Sequence, residues 1–182
     1  MIKVSEEDWE IFHKNFRISR EDLLPIFPYQ ANFEELKQLL LDSKTDSVFN
    51  NRFDEILWRF PISMSDNDFM KLLQIFLIDN GHHSHESIVR SFQNWYNEDK
   101  ENIKYLMQVF YSLPEFYRHD EDLKYPFIRK IIYAIGAQPE PYNFEALEVI
   151  SQSENEEIKA LALHQIGKRK NLGRWESDSK TS

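Results

Sequence analysis

Phe144-Glu-Ala-Leu-Glu-Val-Ile-Ser-Gln-Ser-Glu-Asn-Glu-Glu-Ile-Lys-Ala-Leu-Ala-Leu-His-Gln-Ile-Gly-Lys-Arg169 reads as two short helices joined tightly. Phe144, Leu147 and Ile150 form one apolar stripe at helical spacing, and Ile158, Ala162 and Ile166 form the next. Between them, Ser153-Glu-Asn-Glu156 has the form of a capping box: the Ser153 hydroxyl accepts a backbone N–H of the new helix and Glu156 reaches back. Gly167 follows the last apolar position, where a small residue lets neighbours approach or the chain turn.

Ile158-Lys159-x-x-Ala162-x-x-x-Ile166-Gly167 resembles the second helix of a HEAT repeat. A fainter copy lies upstream, where Ile135-Gly136 matches Ile166-Gly167 and Ile131 matches Ala162, a spacing in the range of helical-repeat arrays. The resemblance implies stacked helical hairpins and a scaffold role, with the binding surface made largely by the second helix of each hairpin.

Outward from that stretch the pattern stays helical. Ser5-Glu-Glu-Asp8 caps a helix over 5–16 carrying Trp9, Phe12 and Phe16, with acids where the helix dipole favours them. Arg20 to Leu24 makes one turn before Pro25 and Pro28. Asn32-Phe-Glu-Glu35 opens a helix over 32–42. Phe49, Phe53, Ile56, Leu57 and Phe60 give the cleanest amphipathic stripe, over 46–60. Further helices are expected over 65–79, 84–97, 100–112, 121–136, 142–152 and 154–169, with one turn or a loop over 115–120. Ala137-Gln-Pro-Glu-Pro141 reads as a stiff linker. The expectation is an all-α chain of about nine helices, with no strand alternation. Pairing 32–42 with 46–60, 65–79 with 84–97, 100–112 with 121–136, and 142–152 with 154–169 gives a short right-handed HEAT-like superhelix. Residues 1–170 form a single domain, 5–31 cap it, and 171–182 make a flexible tail. A compact orthogonal bundle is the alternative.

Composition narrows the function. The chain has 182 residues, enough to bury roughly 70% of the surface its unfolded form exposes. It has no cysteine, which excludes disulfides and thiolate chemistry and is compatible with a reducing compartment. No apolar run reaches membrane-spanning length and no signal-peptide pattern opens the chain, so a cytoplasmic, non-membrane protein is expected. Glycine is scarce, at four residues, which disfavours phosphate-cradling loops. Net charge is −9, although the C-terminal stretch is basic, with Lys168, Arg169, Lys170, Arg174 and Lys180 against Glu176 and Asp178. An acidic body repels phosphate backbones and steers basic partners inward; it also simply maintains solubility.

Candidate chemistry is sparse. Gly81-His82-His83-Ser84-His85-Glu86 gathers three imidazoles and a carboxylate, a possible Zn²⁺ set. It straddles a helix start, so its side chains fan apart, and a polar turn capped by Ser84 is the plainer reading. His164, flanked by Ala and Leu residues, reads as a partly buried histidine. Glu6-Glu7, Glu34-Glu35 and Glu156-Glu157 all fall in first turns of helices. Tyr105, Tyr111, Phe116, Tyr117, Tyr125 and Tyr133 outnumber what one core stripe needs, and tyrosine is enriched at interfaces.

No catalytic residue, cofactor or metal is expected. The size, acidity, lack of cysteine and helical stack resemble small all-helical bacterial immunity proteins, which neutralise a cognate toxin domain by direct binding. That resemblance implies a basic protein partner, met here by Asp54, Glu55, Glu86, Asp120, Glu121 and Asp122. The alternative is an adaptor for an endogenous complex; further off stand a metal-dependent enzyme on His82, His83 and His85 and a DNA-acting HEAT-like enzyme.

Overall fold

A computed structural model describes residues 2–15, 17–44, 52–95 and 98–172. The chain is all-α. Among the described residues there are eleven helices and no strand: α1 (Glu6–Lys14), α2 (Arg20–Leu23), α3 (Phe33–Lys44), α4 (Arg52–Arg59), α5 (Asp66–Leu77), α6 (His85–Asn94), α7 (Glu101–Tyr111), α8 (Glu115–Arg118), α9 (Glu121–Gly136), α10 (Tyr142–Ile150) and α11 (Glu156–Leu172). Nine of these match the expected helices. The other two, α2 and α8, are single turns that the sequence left short. Contacts cluster into two compact units, Met1–Leu73 and Gln74–Ser182, and the dividing line falls inside α5.

The caps explain where most helices begin. Ser5 accepts the Asp8 N–H at 3.1 Å, and Ser65 accepts that of Asp68 at 3.2 Å. Asn32 and Glu35 exchange reciprocal bonds of 3.1 and 3.2 Å, a complete capping box. Two expected caps differ. Ser84 makes no side-chain cap bond. At the last helix Asn155 replaces Ser153: its Oδ1 accepts the N–H groups of Glu157 and Ile158 at 3.0 and 3.1 Å, while Ser153 bonds only the Asn155 N–H. A short amide side chain two residues closer reaches both orphan donors, so the helix starts at Glu156.

In the first unit, α1, the α2 turn and α4 converge on aromatic rings. Phe12, Phe27 and Phe60 are wholly buried. Phe27 meets Phe60 edge to face at 5.2 Å, and Trp9 meets Phe12 the same way at 5.4 Å. Each such ring contributes about 1.5–3 kcal/mol through burial alone. Arg59 closes the cluster: its guanidinium lies 4.7 Å from the Phe12 ring and donates to the carbonyls of Phe12 and Asn15. The expected pairing of 32–42 with 46–60 appears as α3 against α4. Residues 45–51 lie outside the described residues, as do Phe16 and Phe49 of the expected stripes. An isolated bridge joins Ala31 and Ile62.

The second unit is organised around α9, which packs against α6, α7, α8, α10 and α11. Its Phe127, Ile131, Ile132 and Ile135 are buried. Two of the expected hairpins, α7 with α9 and α10 with α11, are present, whereas α6, expected to pair with 65–79, packs chiefly on α9. The segment read as a stiff linker does more than connect. Ala137 and Gln138 are buried, and Gln138 sits in a polar chain that links four helices. Gln74 donates to Asn102 Oδ1 at 2.7 Å; Asn102 donates to Gln138 Oε1 at 3.0 Å; Gln138 donates to the carbonyls of Phe92 and Ala134.

The quoted stretch itself folds with a correction to its stripe. Ala162 is buried, but Gln165 and Arg169 share that face, with Ile158 and Ile166 half-buried. Gly167 lies within α11 with open space where a side chain would be, so no close approach requires it. Gly136 is the glycine under constraint: a Cβ there would stand 3.0 Å from Gln165 Oε1. His164 is exposed rather than partly buried. Of the tail expected over 171–182, residues 171–172 finish α11 and 173–182 lie outside the described residues.

Candidate protein-binding site

The six acids picked from the sequence divide between the two units. Asp54 and Glu55 lie on α4, in the first. Asp54 accepts the Trp58 indole N–H at 2.9 Å. Glu55 stands 2.7 Å from His13 Nδ1 and 3.8 Å from Arg59 NH1, half-buried between them. Both carboxylates are thus engaged within their own unit. Glu86, Asp120, Glu121 and Asp122 belong to the second unit: Glu86 lies in the first turn of α6, and the other three lie at the corner where the α8 turn leads into α9.

The corner begins with Pro114, whose fixed φ of −54° sets an extended residue before the turn Glu115–Arg118. Arg118 donates back to the Leu113 carbonyl at 3.0 Å and holds the turn closed. The turn presents neighbouring aromatic side chains to opposite environments. Tyr117 is buried, stacked on Phe127 of α9 at 3.9 Å between ring centres. Burial pushes its hydroxyl up to about 12, with the Glu86 carboxylate adding to the shift. Phe116 points outward and is 48% exposed. The only ring recorded on it besides its neighbour Tyr117, among the described residues, is that of His83, edge to face at 4.8 Å.

Around Phe116 the surface combines apolar and acidic groups. Tyr111 and Leu123 are exposed large apolar side chains. Asp120 caps α9 by accepting the Asp122 N–H at 2.9 Å. Glu121 pairs with Lys124 at 3.0 Å, and Glu86 pairs with Lys130. Glu115 and Asp122 are exposed and their carboxylates have no hydrogen bond or ion pair among the described residues.

The histidine turn supports this corner from behind. The Ser84 N–H donates to His82 Nδ1 at 3.0 Å, which leaves the proton on Nε2, 2.7 Å from the Phe76 carbonyl. His85 directs its Nε2 at the Asp79 carbonyl, 2.6 Å away. The two rings stack at 4.2 Å. Burial lowers the His85 imidazole to about 4, partly offset by its bond to Asp79. The Nε2 atoms of His82 and His85 are therefore committed to backbone carbonyls, and only His83 faces outward. Among the described residues no group of three His, Asp or Glu side chains converges on a common ion position.

Sequence reasoning named Asp120, Glu121 and Asp122 here but did not single out Phe116. Phe116 stood among six surplus aromatics with nothing to distinguish it from Tyr117. The distinction depends on Phe127 and His83, which only the packing of α8 and α6 on α9 brings together. Comparisons with protein-family models, with curated proteins and with solved structures return no match to this chain. No helix among the described residues is long and apolar enough to cross a membrane.

Proposed function

We propose that this protein is a non-catalytic binding module that sequesters a basic protein partner, as the resemblance to small immunity proteins implies, and that the α8 corner is where it binds. The supporting observation is the exposed Phe116 ring together with the uncommitted carboxylates of its sequence neighbour Glu115 and of Asp122 at the start of α9. An aromatic anchor within a polar rim is the arrangement that concentrates binding energy at protein interfaces. The surrounding acids lend charge complementarity, which speeds encounter with a basic surface and suppresses acidic competitors. Asp54 and Glu55, held within their own unit, are not part of this proposed surface.

The test uses a photo-crosslinking amino acid placed at position 116 in one variant and at exposed Val149 in another, each expressed in the native host. The expected result is one basic protein crosslinked at 116, absent at 149, and lost when Asp122→Lys is added. That partner expressed alone should arrest growth, and co-expression should relieve the arrest. Equal crosslinking at both positions, or a product indifferent to Asp122→Lys, contradicts the placement. A harmless partner contradicts sequestration and leaves an adaptor.

A further inference from the structure

A second surface lies further along α9 and carries the opposite charge. A cleft of about 350 Å³ opens between α6, α9 and α11, lined by Gln93, Tyr125, Arg129, Lys130, Tyr133 and Glu157. Tyr125, Arg129 and Tyr133 follow one another at intervals of one helical turn, so they form a single ridge on α9. From Tyr125 to Tyr133 that ridge runs about 12 Å.

The charges in and beside the cleft fall into two groups. Lys130 is neutralised by Glu86, and Lys124, over the Tyr125 ring, by Glu121. Arg129 and Lys168 have no ion pair among the described residues. Yet both converge on the Tyr133 ring, with the guanidinium 5.5 Å and the ammonium 5.9 Å from its centre. The two charges therefore stand at most about 11 Å apart, and an anion beside the ring is attracted by both. Glu157 is the single unpaired carboxylate of the cleft, which leaves a small positive excess on a chain of net charge −9.

We infer that this cleft binds one phosphate monoester carrying a flat ring. The phosphate sits between Arg129 and Lys168. A guanidinium fork matches two phosphate oxygens and the ammonium supplies a point charge. One monoester brings a charge of about −1.5 to −2, close to what two cations neutralise. A long polyanion would meet the acidic remainder of the chain. The ring lies along the Tyr125–Pro126 side, and the volume falls in the range of small-ligand sites. A nucleoside monophosphate and a phosphotyrosine side chain share this chemistry.

Calorimetric titration of the full chain at low salt tests the site, with AMP, O-phosphotyrosine and inorganic phosphate as separate arms. At least one ring-bearing ester should bind about tenfold tighter than inorganic phosphate, and Arg129→Glu should weaken it by about tenfold or more. Lys168→Glu should act in the same direction, while Lys71→Glu, in the other unit, should leave binding unchanged. Preference for AMP identifies a nucleotide ligand; preference for phosphotyrosine identifies a modified protein. Equal weak binding in all three arms means an adventitious anion only and overturns the inference. So does binding indifferent to Arg129→Glu, or equal affinity for a Glu-rich peptide.

Discussion

His85 shows how a residue that looks chemical from its neighbours is structural from its environment. It lies in a histidine-rich turn, yet its ring is wholly buried, stacked on His82 and tied to the Asp79 carbonyl. Its imidazole is held at about 4 in the folded protein against an ordinary 6.5 when unfolded. Between those values the unfolded chain binds the extra proton. The neutral ring's contribution is therefore complete above about pH 6.5 and is lost as pH falls toward 4, at up to about 1.4 kcal/mol per pH unit. Urea midpoints measured across that range should fall more steeply for the native chain than for His85→Gln. Parallel curves would show that His85 does not carry this pH dependence. Gln165 poses the opposite case. It is wholly buried on α11, and neither its Nε2 nor its Oε1 has a partner among the described residues. An unsatisfied buried polar group costs about 1–3 kcal/mol, and methionine has a similar volume and flexibility. Gln165→Met should therefore raise Tm, by roughly 2–4 °C for each kcal/mol recovered. A lower Tm would mean the amide is satisfied in solution, as by a buried water. Neither residue's role was legible from the sequence. His85 and Gln165 read as polar, and only long-range packing decides that both are inside.

At the scale of elements, the helices that were legible are those whose ends are written locally. Ser5, Asn32 and Ser65 each reach an N–H three residues on, so type and boundary follow from adjacent residues. The joint before α11 was misplaced because Ser153 and Asn155 both suit a cap, and backbone geometry alone chooses between them. Gln138 was harder still. It lies in a proline-flanked segment that reads as linker, but its partners come from α6, α7 and α9, and through Asn102 the chain of bonds reaches Gln74 of α5. No periodicity encodes such a chain of bonds. Gln138→Ala would strand the Asn102 side-chain N–H and the Phe92 carbonyl in a buried site, at about 2–4 kcal/mol. Asn102→Ala should cost a similar amount, and the double variant less than the sum, because both remove the same bond. Denaturant unfolding of the four proteins measures the coupling; strict additivity would mean the chain of bonds does not act as a unit.

At the scale of the whole molecule, a net charge of −9 suits the basic partner proposed above but does not say where such a partner would meet the chain. Acids in first turns of helices are ambiguous from sequence: Asp120 caps α9 while Asp122, in the same turn, stays uncommitted. What sets the α8 corner apart is an aromatic ring left outside beside carboxylates with nothing to bind. The two kinds of group predict separable effects. Charge governs how fast partners meet, whereas a packed aromatic anchor governs how slowly they part. The most direct measurement is therefore the binding kinetics of the partner crosslinked at position 116, taken at low and moderate salt with the native chain, Asp122→Lys and Phe116→Ala. The predicted result is slower association for Asp122→Lys, most marked at low salt, and dissociation faster by about tenfold or more for Phe116→Ala. Rates unchanged in both variants would contradict binding at this corner.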